Sequence, residues 1–403
     1  MKILKICGIV KNMQKTDKEN RFELLLTNIK KKFSGIFNFF DRIVKMLIIV
    51  ILMFLILEIL SFGILKGPIF LGKYLGVDYF NSDLQKDVFL NKEWVPQYYK
   101  ETILVDSREY ASYLEFKRTG NFSGTYINLD ENSHRFTDNP CKGKEAIKIF
   151  VFGGSTTWGT GARDNYTIPS YISKKLCEDN ISVEVTNFGE AAYVNTQEMI
   201  SLQLELRKGN IPDYVIFYDG INDVYSAYQE EAAGYPQNIA NRKFEYGLRD
   251  KFNIIRPIFN GNFVTLLRET MHYFSPKETK KIDNSDELSD EVIDIYFGNK
   301  RIIDGLGKGY NFTVFYFWQP TIFTKRQLSE NEKSFDPKID ENFALEVYSK
   351  IKLYNNSDNF YDISDIFEDI NDSVYVDFCH ISEEGNEMIA DRIVNVIKED
   401  IQK

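Results

Sequence analysis

The sequence predicts an α/β protein, a three-layer α/β/α sandwich around a parallel sheet, preceded by one transmembrane helix. Three observations carry that expectation. After Lys144, short apolar runs bounded by Gly, Pro or Asn alternate with amphipathic stretches, the texture of repeated βα units. Met46 to Leu65 is an unbroken apolar run with one ionisable group, Glu58. The 403 residues, 43% hydrophobic and 15% aromatic, are enough to bury a full core and exclude a disordered chain.

The expected strands are Ile147 to Phe152, Val183 to Phe188, Tyr214 to Tyr218 and Phe312 to Phe317, each short and rich in β-branched or aromatic residues. Helices are expected at Ile168 to Glu178, Thr196 to Lys208, Asp290 to Leu306 and Glu383 to Ile397. Residues 229–289 interrupt the alternation as an insertion that could shape a cleft, with Pro276 to Asp290 reading as a solvated charged stretch. The resulting division is a basic amphipathic arm at 1–45, a transmembrane helix at 46–65, a stalk with accessory strands at 66–145 and the main domain at 146–400.

At about 1.5 Å per residue, the run from Met46 to Leu65 spans a bilayer core of roughly 30 Å. A cleaved signal peptide is the competing reading, but the run and the arm before it are too long and no small-x-small site follows. Lys and Arg crowd the arm from Lys2 to Lys45, whereas only Lys66 and Lys73 follow closely. The positive-inside rule therefore places the N-terminus in the cytoplasm and the main domain outside it. Within the arm, Phe22, Leu25, Leu26, Ile29, Phe33, Ile36 and Phe40 fall near helical spacing, as in a helix lying on lipid, with Lys30 to Lys32 placed to meet anionic head groups. Glu58 reads either as a neutral carboxyl tolerated in an apolar helix or as a contact with another membrane protein.

The net charge of -10 leaves no basic footprint for nucleic acid. Cys7, Cys141, Cys177 and Cys379 form no CxxC pair, so no zinc knuckle or disulfide framework is written in their spacing.

In an open parallel sheet, ligands bind beyond the C-terminal strand ends, so the residues after each strand are the first to inspect. After the first strand comes Gly153-Gly154-Ser155-Thr156, a tight turn that exposes Ser155 near a helix start. The same letters also make an ordinary loop and helix cap. After the second comes Asn187-Phe188-Gly189, and after the third Asp219-Gly220-Ile221-Asn222-Asp223. The backbone N–H groups of Ser155 and Gly189 and the side-chain amide of Asn222 would give three donors for a tetrahedral oxyanion. Taken singly, each reads as a loop or cap residue. Of the histidines His134, His272 and His380, only His380 has a carboxylate three residues before it, Asp377. One turn there could aim both side chains together, with Asp377 fixing the imidazole tautomer while the other nitrogen takes a proton from Ser155.

Ser155, Gly189, Asn222 and His380, in this order at predicted strand ends, resemble the four marker positions of the SGNH hydrolases, the GDSL-type lipase and esterase superfamily, and Asp377 matches its triad acid. The resemblance covers roughly residues 146–398 and implies that family's flavodoxin-like fold. Gly124 to Thr137 is similar to the lead-in strand pair of its membrane-anchored bacterial members. One departure stands out: Gly154 replaces the Asp that precedes the nucleophile in the family's Gly-Asp-Ser-Leu block. An α/β-hydrolase elbow would need Gly at Thr157, and a metal-dependent deacetylase would need a His pair at ligand spacing. No cofactor or metal is expected.

The resemblance implies a serine esterase; together with the apolar run and the charge asymmetry, which tether the domain outside the cytoplasm where envelope polymers lie, the leading expectation is a membrane-anchored esterase that removes acetyl or other short acyl groups from cell-surface or secreted glycans. Two alternatives stay open: an O-acyltransferase that passes the acyl group to a sugar hydroxyl, and a catalytically silent glycan-binding or assembly subunit docked through Glu58. Trp158, Tyr193, Tyr218, Tyr225 and Trp318 could line a sugar cleft or form core, with core favoured for Tyr218 and Trp318. Gln319-Pro320 reads as cleft rim or as a plain strand-ending turn.

Overall fold

The computed structural model describes residues 2–75, 86–239, 242, 263, 266, 281–355 and 358–402. Most of the expected insertion, and with it any part it plays in a cleft, lies outside the described residues. The chain divides into two compact units, one of residues 1–77 and 254–275, the other of residues 78–253 and 276–403.

In the first unit a single helix, α1 (Lys2–Leu75), runs through both the basic arm and the apolar segment. Its Glu23–Ile64 portion is long and apolar enough to cross a membrane. The apolar side chains from Met46 to Ile64 are mostly exposed. Glu58 accepts a hydrogen bond from the backbone N–H of Phe263 at 3.0 Å, and the Phe263 ring meets Phe54 edge-on at 6.3 Å. The carboxyl thus meets a group from this chain's own insertion.

The second unit is built on a five-stranded parallel sheet, β5 (Ile147–Gly153), β6 (Val183–Asn187), β7 (Tyr214–Asp219), β8 (Thr313–Trp318) and β9 (Phe360–Asp362). Their spatial order is β6-β5-β7-β8-β9. After β6 the chain returns past β5 to place β7 on its other side, and that reversal opens a crevice at the C-terminal ends of β5 and β7.

Both faces of the sheet are covered, which is why its strands read as nearly continuous apolar runs. The period of two sends Phe150, Phe152, Val215, Phe217, Tyr316 and Trp318 into one core and Ile149, Val151, Ile216, Tyr218, Phe315 and Phe317 into the other. The first core is closed by α5 (Asn195–Arg207), α6 (Ile221–Glu230), α7 (Ser285–Tyr310) and α8 (Glu341–Ile351). The second is closed by α4 (Ile168–Glu178) and α9 (Glu383–Ile401). Thr167 caps α4 by accepting the Ser170 N–H, and Ser382 caps α9 by accepting the Gly385 N–H.

Residues 86–145 pack onto this sandwich. Helix α2 (Val95–Val105) precedes two antiparallel pairs, β1 (Arg108–Ala111) with β2 (Glu115–Arg118) and β3 (Phe122–Ser123) with β4 (Asn128–Leu129). Glu101 on α2 accepts the N–H groups of Thr125, Tyr126 and Ile127, so this lobe is folded around a carboxylate. A disulfide joins Cys141 to Cys177, anchoring the end of the lobe to α4; the spacing of the cysteines alone had not disclosed it.

Arg135 fastens the lobe to the crevice. Its guanidinium pairs with Asp164 at 2.9 Å and donates to the carbonyls of Gly159 and Ala162, each at 2.7 Å. Both members of the ion pair are almost fully buried. Removing one partner of such a pair strands a buried charge, so Arg135→Ala is expected to destabilise the domain by about 3 to 5 kcal/mol. Thermal or urea unfolding followed by circular dichroism will measure it, and a change below about 1 kcal/mol would contradict it.

Candidate active site

The turn after β5 is set by two glycines. Gly153 has φ +155, and a Cβ there would lie 2.1 Å from Thr157 Oγ1 and 2.5 Å from the Tyr218 carbonyl. Gly154 is needed for space: a Cβ would lie 2.0 Å from Asn222 Nδ2. Ser155 then opens the short helix α3 (Ser155–Trp158), closed by hydrogen bonds from the Trp158 N–H to the Gly154 carbonyl and from the Gly159 N–H to the Ser155 carbonyl, each at 3.0 Å. Any other residue before the serine would push Asn222 away, which gives a physical reason for Gly154 to stand where the resemblance leads one to expect Asp.

His380 Nε2 lies 2.6 Å from Ser155 Oγ, and His380 Nδ1 lies 2.6 Å from Asp377 Oδ2. The Asp377 Oδ1 accepts the backbone N–H groups of Cys379 at 3.0 Å and His380 at 2.8 Å, so the DxxH turn folds around its own carboxylate. Burial would raise the Asp377 pKa, but the neighbouring imidazole and these hydrogen bonds outweigh it and hold the carboxyl below its ordinary range. Asp377 therefore stays ionised and fixes the proton on Nδ1, which leaves Nε2 to accept from the hydroxyl. Cys379 Sγ comes to 3.7 Å of Nδ1, but burial pushes its pKa well up and keeps it a neutral thiol.

Asn222 brings its amide against the same turn. Its Nδ2 donates to the Tyr193 carbonyl at 2.8 Å and keeps a second N–H. Gly189 is tied into the loop that follows its own strand. Its N–H donates to Asn187 Oδ1 at 2.8 Å, and a Cβ there would lie 2.3 Å from the Trp158 backbone nitrogen. In this geometry Gly189 lets β6's loop pack on α3, and its N–H is already engaged. Asn187 Nδ2 completes the tie by donating to the Thr157 carbonyl at 3.0 Å.

The aromatic residues that could have lined a sugar cleft are mostly core. Trp158 is buried with the Arg118 guanidinium 4.3 Å and the Arg135 guanidinium 4.4 Å from its ring centroid. Tyr193 is buried and donates its hydroxyl to the Phe116 carbonyl, while Tyr218 and Trp318 are buried as strand residues. Tyr225 alone of the five is half-buried, 6.2 Å from the ring of Phe378. Gln319 is buried and its N–H pairs with the Asp219 carbonyl at 2.8 Å, so it is a strand-ending residue.

Beneath the Asn222 turn lies a carboxyl cluster that sequence patterns did not reveal. Asp223 accepts the Asn195 N–H, and Asp219 Oδ2 accepts from Asn195 Nδ2 at 2.8 Å and the Tyr296 hydroxyl at 3.3 Å. Glu198 sits against Asp219, fully buried. Burial first, and then the adjacent carboxylates, raise Glu198 well above the ordinary carboxylate range; Asp223 is raised likewise.

A raised folded-state pKa means that folded Glu198 keeps its proton where the unfolded chain has lost it. The stability that Glu198 contributes is therefore fully present below the unfolded value, about 4.3, and is lost as pH rises through the raised folded-state value. Glu198→Gln supplies the N–H without a titrating proton and is expected to reduce the loss of melting temperature between pH 5 and pH 8. Parallel losses in variant and parent would contradict this.

The signature of the GDSL-like Lipase/Acylhydrolase family matches residues 149–393. The chain belongs to that family, and it is a serine hydrolase acting on ester bonds. Solved structures with a similar fold include an acetyl xylan esterase, 15% identical, with a TM-score of 0.35 over 62% of this chain and 100% of that one. An acetylxylan esterase from Geobacillus stearothermophilus is 14% identical, with a TM-score of 0.34 over 63% of this chain and 94% of that one. A lipase/acylhydrolase from Enterococcus faecalis is also 14% identical, with a TM-score of 0.34 over 63% and 96% of the two chains. No curated protein matches the chain.

Proposed function

We propose that the chain is a membrane-anchored esterase, with its catalytic domain outside the cytoplasm, that removes acetyl or other short acyl groups from cell-surface or secreted glycans. The observation that carries the chemistry is the unbroken relay from Ser155 Oγ through His380 to Asp377, with 2.6 Å at each step. His380 Nε2 takes the hydroxyl proton as Ser155 Oγ attacks the acyl carbon, and Asp377 stabilises the imidazolium that forms. The negative oxygen of the tetrahedral intermediate is met by the Ser155 N–H and the second N–H of Asn222. His380 then hands its proton to the departing alcohol, and a water activated by the same nitrogen releases the acid from the acyl-serine. Neither a metal nor a cofactor is called for in these steps.

The apolar stretch of α1, the basic arm before it and the Cys141–Cys177 disulfide support the tethered, extracytoplasmic placement, since disulfides persist in oxidising compartments. The tether in turn supports an envelope polymer as substrate, because a domain held at the membrane meets such polymers first. Tyr225 and Phe378 offer an apolar surface beside the histidine turn for the acyl group or a sugar face.

Ser155→Ala and His380→Ala are each expected to lower the turnover of p-nitrophenyl acetate by at least about 10³-fold while leaving the melting curve in place. Parental rates in either variant would remove the assignment. Asn222→Ala, and Gly154→Ala through its collision with the amide, should lower kcat by roughly 10²- to 10³-fold with KM little changed. A change confined to KM would make Asn222 a substrate-binding residue. With an oligosaccharide acceptor present, free acid should exceed acylated sugar; the reverse would make the protein an O-acyltransferase.

A further inference from the structure

We propose that Gln237, at the start of the insertion, is a positioning residue that sets the orientation of the Asn222 amide for the oxyanion; this rests on the site reading above. A primary amide can sit in two orientations related by a half-turn, and only one of them offers an N–H to the hole. The Tyr193 backbone carbonyl, 2.8 Å from Asn222 Nδ2, can only accept. That forces Nδ2 to its side and Oδ1 to the other. Gln237 Nε2 lies 3.2 Å from Oδ1 and donates to it. The flipped amide would set oxygen against oxygen at Tyr193 and would force the Gln237 amide to turn as well, whereas the observed orientation satisfies both contacts.

Gln237 is itself held in place. It is buried, and its carbonyl accepts from Arg242 Nε at 2.8 Å. The Arg242 guanidinium lies 3.8 Å from the centroid of the Phe116 ring, which meets Tyr193 edge-on at 5.2 Å. The Tyr193 hydroxyl donates to the Phe116 carbonyl. The contacts close a ring through Asn222, Gln237, Arg242, Phe116 and Tyr193, so β2, the loop after β6 and the insertion all bear on one amide. The segment is also pinned along α6: the Asn238 N–H donates to Gln229 Oε1 at 2.9 Å and the Ile239 N–H to Glu230 Oε1 at 3.2 Å.

The test is a double-mutant cycle on the full chain, reading kcat and KM for p-nitrophenyl acetate. Gln237→Met keeps the shape without the donor, and Gln237→Glu places an acceptor against Oδ1. Both are expected to lower kcat about 10- to 100-fold, Glu more than Met, with KM within about twofold. In an Asn222→Ala background the same changes should alter kcat less than about twofold. Parental kcat in Gln237→Glu, or an equal loss with and without Asn222, would overturn the proposal while leaving the triad intact. An Asn222→Ala enzyme with parental kcat would overturn it together with the oxyanion reading. A melting curve for each variant separates these effects from unfolding.

Discussion

A hydroxyl and an imidazole 225 residues apart in sequence are held 2.6 Å apart at the C-terminal edge of a parallel sheet. That proximity needs the β6-β5-β7-β8-β9 order, because β5 must lie inside the sheet, where the order of strand addition reverses, for its following turn to face the crevice. It needs the DxxH turn to close on its own carboxylate before α9 begins. The serine turn in turn needs two glycines, one for a left-handed φ and one for the Asn222 amide to approach.

Around that contact, polar groups are used to fix backbone. Arg135 takes up carbonyls of the loop that follows Ser155, Asn187 holds the Thr157 carbonyl, and Glu190 accepts the Arg118 N–H at 3.0 Å while its own N–H pairs with the Gly153 carbonyl at 3.0 Å. Trp158 lies between two guanidinium faces in the middle of this network. A hydrogen bond to a charged group contributes about 1.5 to 3 kcal/mol, so several such bonds on one short loop hold it more firmly than its four-residue helix could. The lobe of residues 86–145 is thus a structural support for the turn that carries Ser155.

Much of this was legible in the sequence because it rests on local pattern. The strands at Ile147, Val183, Tyr214 and Thr313 are apolar runs buried on both faces, and helix Ile168–Glu178 falls where its cap and apolar spacing put it. The three-residue strand β9 was not legible, since Phe360-Tyr361-Asp362 is too short to show a period and pairs only at the sheet's edge. His380 and Asp377 could be picked out because the chain has only three histidines and this one alone has a carboxylate three residues before it, and Ser155 because a glycine pair follows an apolar strand directly before it. Arg135, Glu198 and Gln237 could not, because a buried arginine, carboxyl or amide looks like a surface residue until its partners, from 15 to 29 positions away or on other elements, are placed around it. The hydrogen-bond partner of Gly189 was not legible for a related reason. A glycine after a strand signals close approach, but not whether its N–H or its missing Cβ is what matters, and here a neighbouring asparagine side chain takes the N–H.

The proposed chemistry turns on Ser155 Oγ, activated by His380, being the atom that takes up the acyl group. Peptide mapping by mass spectrometry after reaction with a fluorophosphonate addresses it directly. A single phosphonyl adduct is expected on the peptide containing Ser155. An unmodified Ser155 peptide from folded protein, or an adduct on another serine, would contradict it.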